Sequence, residues 1–252
     1  MTNPSATRRN RVPLSFSHLR SLAVGGALIL TCLSLLFVRD SAAQPKAQPL
    51  HVLLVTSGGY HDYKTLAPFL TNHLSQLVNA TIDAKAGLEV FADPKFADGY
   101  DAVIYDICDD EANDASLDNV MKAVRAGKPA VMLHCSIHAF RKSPKISEWE
   151  NFCGMRSKVH DAFGPFTVNK LDPASPITKS FPDEWSTPGD ELYQTISIEP
   201  RSHQLLKAKS PRDGRVHVVC SRNFPTHARR LVSLCKSDKL VACNANRSDA
   251  AR

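Results

Sequence analysis

A short apolar run, Ala130-Val131-Met132-Leu133, stops without transition at His134-Cys135, and a second histidine, His138, and a cation, Arg141, follow at once. Gly127 and Pro129 bound the run upstream. A run this short and apolar throughout, set between chain breakers, predicts a strand buried on both faces, as in parallel sheets. In an open α/β sheet ligands bind beyond the carboxyl ends of the strands, and that is the end at which the polar cluster falls.

Two further runs have the same form. His51 to Thr56 (HVLLVT) leads into the turn Ser57-Gly58-Gly59 and then His61, while Ala102 to Ile107 (AVIYDI) carries Asp106 and runs into Cys108, Asp109, Asp110 and Glu111. Between them Leu66, Leu70, Leu74, Leu77 and Val78 recur at helical spacing, and residues 81–91 hold a less regular second strand. A helix is expected from about Ser116 to Ala126, with the acids before it lying near its N-terminus, where the helix dipole favours negative charge. A short helix from Ile146 to Phe152 closes at Gly154, strand-like pieces follow at 166–168 and from Glu191 to Tyr193, and Asp172 to Thr178 forms a proline-containing turn between them. Strands alternating with helices, without a repeating period, predict a three-layer α/β domain with a mostly parallel sheet. That arrangement brings His61, Asp106 and His134 to one edge.

Charge does not point to nucleic acid. The formal net charge is +6, but residues 1–43 hold five arginines against one acid and residues 220–252 seven basic residues against two acids, whereas 44–219 hold 19 basic and 22 acidic residues. The surplus belongs to the ends, so no nucleic-acid partner is expected. Arg8, Arg9, Arg11 and Arg20 precede an uncharged apolar segment, residues 21–38, and Ser41-Ala42-Ala43 supplies small residues for cleavage, the layout of a secretory signal peptide over residues 1–43 or of an uncleaved membrane anchor. An exported protein, periplasmic or extracellular, is expected. A Pro/Gln/Ala linker occupies 44–50 and the domain 51–219. The six cysteines after the signal (Cys108, Cys135, Cys153, Cys220, Cys235, Cys243) match no zinc-ribbon or CxxC spacing, and a core of this size needs no disulfide framework.

Three chemistries compete for the cluster. His134 and His138, four apart, share a face if the segment turns helical, as paired zinc ligands require, with His160 or a carboxylate such as Glu191 as third ligand. Cys135 could be a nucleophile on a strand-to-helix elbow, but such elbows need small residues two positions to either side, and Leu133 and Ile137 stand there, which favours a buried, inert thiol. Or His61, His134, His138 and Arg141 act as donors and Tyr60 or Tyr63 as a stacking face for a polar ligand, a mixture that suits a sugar.

These residues together resemble the ThuA-like, trehalose-utilization family, which has a class I glutamine amidotransferase-like fold. The resemblance rests on Gly58-Gly59 with His61-Asp62-Tyr63, on LHCSIHAFR at 133–141, on Trp149 with Phe152-Cys153-Gly154, on Ser157 to His160, on Pro176-Ile177-Thr178 and on Gly189-Asp190-Glu191-Leu192-Tyr193. It implies a Rossmann/flavodoxin-like domain without amidotransferase cysteine chemistry, a role in carbohydrate metabolism on a glycoside or keto-sugar derivative, and a divalent metal, zinc among the candidates. The site it implies has His134, His138 and His160 on the metal, His61 and Glu191 moving protons, and Tyr60, Asp62, Asp106 and Arg141 holding substrate. The other outcome open at this stage is a non-catalytic carbohydrate-binding or degenerate module. Past Val219 the chain departs from the family pattern: residues 220–252 have three cysteines, no glycine and no tryptophan, and read as an atypical, disordered or frameshifted tail.

Overall fold

The computed structural model describes residues 48–223, and the backbone of 231–234. The predicted signal segment, Cys235 and Cys243 lie outside the described residues. Strands β1 (Leu50–Gly58), β2 (Ala80–Ala86), β3 (Ala102–Cys108) and β4 (Ala130–Leu133) pair in parallel in the order β2-β1-β3-β4. Helix α1 (Tyr63–Leu77) links β1 to β2, and α2 (Asp114–Arg125) links β3 to β4. Residues 81–91, expected as one strand, divide into β2 and a 3-10 turn at Leu88–Ala92, because Gly87 takes a positive φ of 89° between them.

Alternation along each strand feeds two layers. Val52, Leu54, Ile104 and Leu133 pack with Leu70 of α1 on one face, whereas Leu53, Val55, Val103, Tyr105 and Met132 pack on the other with Leu117, Val120 and Val124 of α2. Trp149 and Phe152 of α3 (Ile146–Cys153) join this second cluster. A sheet covered on both faces explains why its strands read as continuous apolar runs. It is the expected three-layer α/β, flavodoxin-like architecture.

The other half of the sheet is antiparallel: β6 (Thr167–Lys170), β7 (Glu184–Ser186), β9 (His203–Lys209) and β10 (Val216–Asn223) extend it as β10-β9-β6-β7. β11 (Leu231–Leu234) joins the halves, parallel to β4 and antiparallel to β10. The domain boundary expected at 219 falls inside β10, whose Cys220, Ser221 and Asn223 are buried. A separate ribbon of β5 (Met155–His160) and β8 (Tyr193–Ile198) carries His160 beside Tyr193.

Candidate functional site

Register explains the convergence. In the parallel ladders Gly58 lies opposite Cys108 and Tyr105 opposite Met132, so His61 stands three residues past Gly58, and Cys108 and Cys135 each three past a paired position. β1 and β3 can close this far only because residue 58 is glycine: its φ is +116°, and a Cβ there would stand 2.7 Å from the carbonyl carbon and oxygen of Cys108.

β4 ends at a strained turn. His134 has φ +52°, rare for a residue with a Cβ, and opens a 3-10 helix over His134–His138. The sharp strand-to-turn position is thus taken by His134, and Cys135, fully buried, is one residue past it. A 3-10 helix has three residues per turn, so positions four apart diverge by about 120°. His134 and His138 therefore do not present the common face expected of an i, i+4 metal pair; both rings pack on Tyr193, with centroids 4.9 Å away.

Ser136, also fully buried, ties the turn to the sheet. Its hydroxyl accepts from the Ile107 N–H at 2.7 Å and donates to the Tyr105 carbonyl at 2.9 Å, where the β3–β4 ladder has run out. Trp149 Nε1 donates to the Ser136 carbonyl at 2.8 Å from below.

Around His134 the polar groups are ordered. Tyr193 Oη lies 3.1 Å from His134 Nδ1 and donates to Glu191 Oε2 at 3.3 Å, so Nδ1 carries the hydrogen given to Tyr193. Nε2 is left facing Asp190 Oδ1 and Glu191 Oε2, each at 3.5 Å. An imidazole nitrogen 6% exposed between two carboxylate oxygens is an arrangement that could hold a metal ion. His61 stands edge-on to His134 at a centroid distance of 4.8 Å, and donor atoms of His61, His134 and Glu191 all lie within 4.8 Å of one another. Two imidazoles and a carboxylate suit a divalent metal of the zinc class.

This regroups the expected ligands. His138 and His160 stand outside the His61–His134–Glu191 group, and His61 and Glu191, expected to move protons, stand inside it. His160 donates from Nδ1 to the Asp161 carbonyl at 2.7 Å, which leaves Nε2 facing Glu191 Oε1 at 3.7 Å. The substrate-binding set is dispersed as well. Asp62 caps α1, accepting from the Thr65 N–H and hydroxyl at 3.2 and 2.7 Å, contacts that hold its carboxyl below the usual range. Asp106 is 1% exposed, inside the sheet near Tyr63 and Cys135 rather than on the opening. Arg141 pairs with Asp110 at 2.6 Å and lies 5.8 Å over the ring of exposed Tyr60. Asp110 thereby pairs with Arg141 and Lys142, and the cap of α2 is Asn113.

Tyr193 and Asp190 were not among the residues singled out for the site. The available signal was position: Glu191 and Tyr193, two apart at the start of a strand, face the same side.

The described cysteines (Cys108, Cys135, Cys153, Cys220) are buried and form no disulfide among the described residues. Cys108 is drawn below the usual thiol range, chiefly by hydrogen bonding with Cys135 and then by His138 and His61, and that same hydrogen bond, with burial, pushes Cys135 far upward.

A search of curated proteins finds no match. Among solved structures the fold is similar to a ThuA-like protein from Parabacteroides merdae ATCC 43184, with TM-score 0.63 and 19% identity over 74% of this chain and 79% of that one. It is also similar to a ThuA-like protein from Bacteroides uniformis ATCC 8492, with TM-score 0.62 and 14% identity over 77% and 84%. The ThuA family model, described as trehalose utilisation, matches residues 51–230, most of the chain, and the protein belongs to that family.

Proposed function

We propose that this ThuA protein processes a sugar-derived small molecule, a glycoside or keto-sugar derivative, at the His61–His134–Glu191 cluster with the help of a divalent metal, and that it is exported through residues 1–43. The observation that carries the reading is His134 Nε2, held against Asp190 and Glu191 at 3.5 Å by a Tyr193 hydroxyl that fixes the opposite nitrogen. His61, His134 and Glu191 would hold the metal, which when bound supplies Lewis-acid polarisation of a substrate carbonyl or hydroxyl. Tyr193 keeps the His134 tautomer and links it to Glu191. His160 Nε2, on a ring 38% exposed and oriented by the Asp161 carbonyl, is the nitrogen free to exchange a proton with a substrate hydroxyl. Tyr60 and Arg141 offer a flat face and donors to a sugar ring.

The test combines metal analysis with calorimetric binding and turnover of trehalose and a keto-disaccharide. Wild type is expected to bind metal and sugar, His134→Ala neither, and His160→Gln to keep both while losing about 10²–10⁴-fold in turnover. A metal-free wild type whose sugar binding survives His134→Ala refutes the enzyme and leaves a carbohydrate-binding module.

A further inference from the structure

We propose that His61, Cys108 and Cys135, with His138 as the fourth group, form a second cation site, selective for a thiophilic d10 ion such as zinc or copper(I). The site goes beyond the sugar reading and does not depend on it.

Donor atoms of His61, Cys108 and Cys135 lie within 4.8 Å of one another, and each comes from a different strand end. A tetrahedral zinc with metal–sulfur bonds near 2.3 Å places its sulfurs ~3.8 Å apart, so the three need to close by no more than about 1 Å. The parallel register already aligns them, and Gly58 permits the approach of β1 to Cys108. His138 is 5% exposed and reaches Cys108, while its Nδ1 is buried without a hydrogen-bond partner among the described residues. A buried imidazole atom with no partner is costly unless something further occupies the cluster.

Two thiols and two imidazoles select soft and borderline ions over magnesium or calcium, whereas the two-imidazole, one-carboxylate group around His134 discriminates less. Cys153 offers the contrast: it is equally buried, but its sulfur faces only the Ser136 carbonyl at 3.9 Å and belongs to no donor group. Binding displaces thiol protons, so affinity rises with pH. Since His61 belongs to both groups, a cation on the thiols competes with the sugar site for that ring.

The experiment uses the full-length chain, reduced with a phosphine and titrated with Co²⁺ as a spectroscopic stand-in for zinc. The expected result is a thiolate-to-cobalt charge-transfer band at one equivalent, displaced by Zn²⁺, present in Cys153→Ser and Glu191→Gln, and lost in Cys108→Ser and in Cys135→Ser, with circular dichroism showing both folded. His138→Ala should weaken binding about 10–100-fold. No band in the reduced wild type overturns the site, as does a band that survives in the Cys108→Ser/Cys135→Ser double variant. Glu191→Gln abolishes sugar turnover without touching the band, which separates failure of this site from failure of the sugar reading.

Discussion

Replacing Ser136 by alanine removes one oxygen from a fully buried position and tests whether that hydroxyl holds the His134–His138 turn to the sheet. The Ile107 N–H loses its 2.7 Å acceptor at a point where β4 no longer runs alongside, and the Tyr105 carbonyl loses a 2.9 Å donor. A buried donor left without a partner costs about 1–3 kcal/mol, and the second bond contributes about 0.5–1.5 kcal/mol net. The variant should therefore be less stable by about 2–4 kcal/mol. Urea unfolding slopes reach about 3 kcal/mol per molar, so the midpoint should fall by about 1 M with an unchanged slope. Ser186→Ala, which removes an exposed hydroxyl 3.1 Å from Thr167, is the control and should stay within about 0.5 kcal/mol. If Ser136→Ala matches the control, the hydroxyl does not replace the missing ladder, and the tie ascribed to Ser136 is wrong.

Gly58→Ala places a methyl 2.7 Å from the Cys108 carbonyl on a backbone with φ +116°, and should lower stability by about 1–3 kcal/mol in thermal unfolding; an unchanged Tm would show that β1 and β3 do not need the close approach. Tyr193→Phe keeps the packing but removes the hydroxyl from His134 and Glu191, so zinc affinity at the His61–His134–Glu191 group should fall about 10–100-fold in equilibrium dialysis of a Cys108→Ser background, and an equal affinity would deny Tyr193 its orienting role. Lys142, and after it Arg141, hold the Asp110 carboxyl below its ordinary value. A depressed carboxyl adds stability that is fully present above the unfolded pKa of about 3.9 and is lost as pH falls through the lower folded value. Asp110→Asn should accordingly lower Tm at neutral pH, with the gap to wild type closing only in that acidic window; a gap independent of pH would mean the ion pairs do not contribute.

The parallel strands and their helices were legible because burial on both faces leaves a pattern that needs no partner to be read: HVLLVT, AVIYDI and AVML are apolar throughout, and breakers stand between them. The same pattern placed His61 and His134 at one edge, since every parallel strand ends there. The antiparallel half was less readable. β9 and β10 alternate imperfectly, and Cys220, Ser221 and Asn223, odd in composition beside the domain, are nonetheless buried in β10, which pairs with β9 across a bulge.

What the chain alone determined, then, is which side chains arrive at the sheet edge; how they group there was decided by tertiary structure. Spacing of four suggested a helical histidine pair, but the segment is wound as a 3-10 turn with His134 at positive φ, and both rings pack on Tyr193 while only His134 meets Asp190 and Glu191. Glu191 and Tyr193 reach His134 from 57 and 59 residues further along the chain, Tyr193 opening a ribbon outside the main sheet and Glu191 just before it. Cys108 and Cys135 meet through strand register. Periodicity records only local geometry, whereas these contacts depend on the angle of one turn and the pairing of strands distant in sequence, which no local pattern encodes.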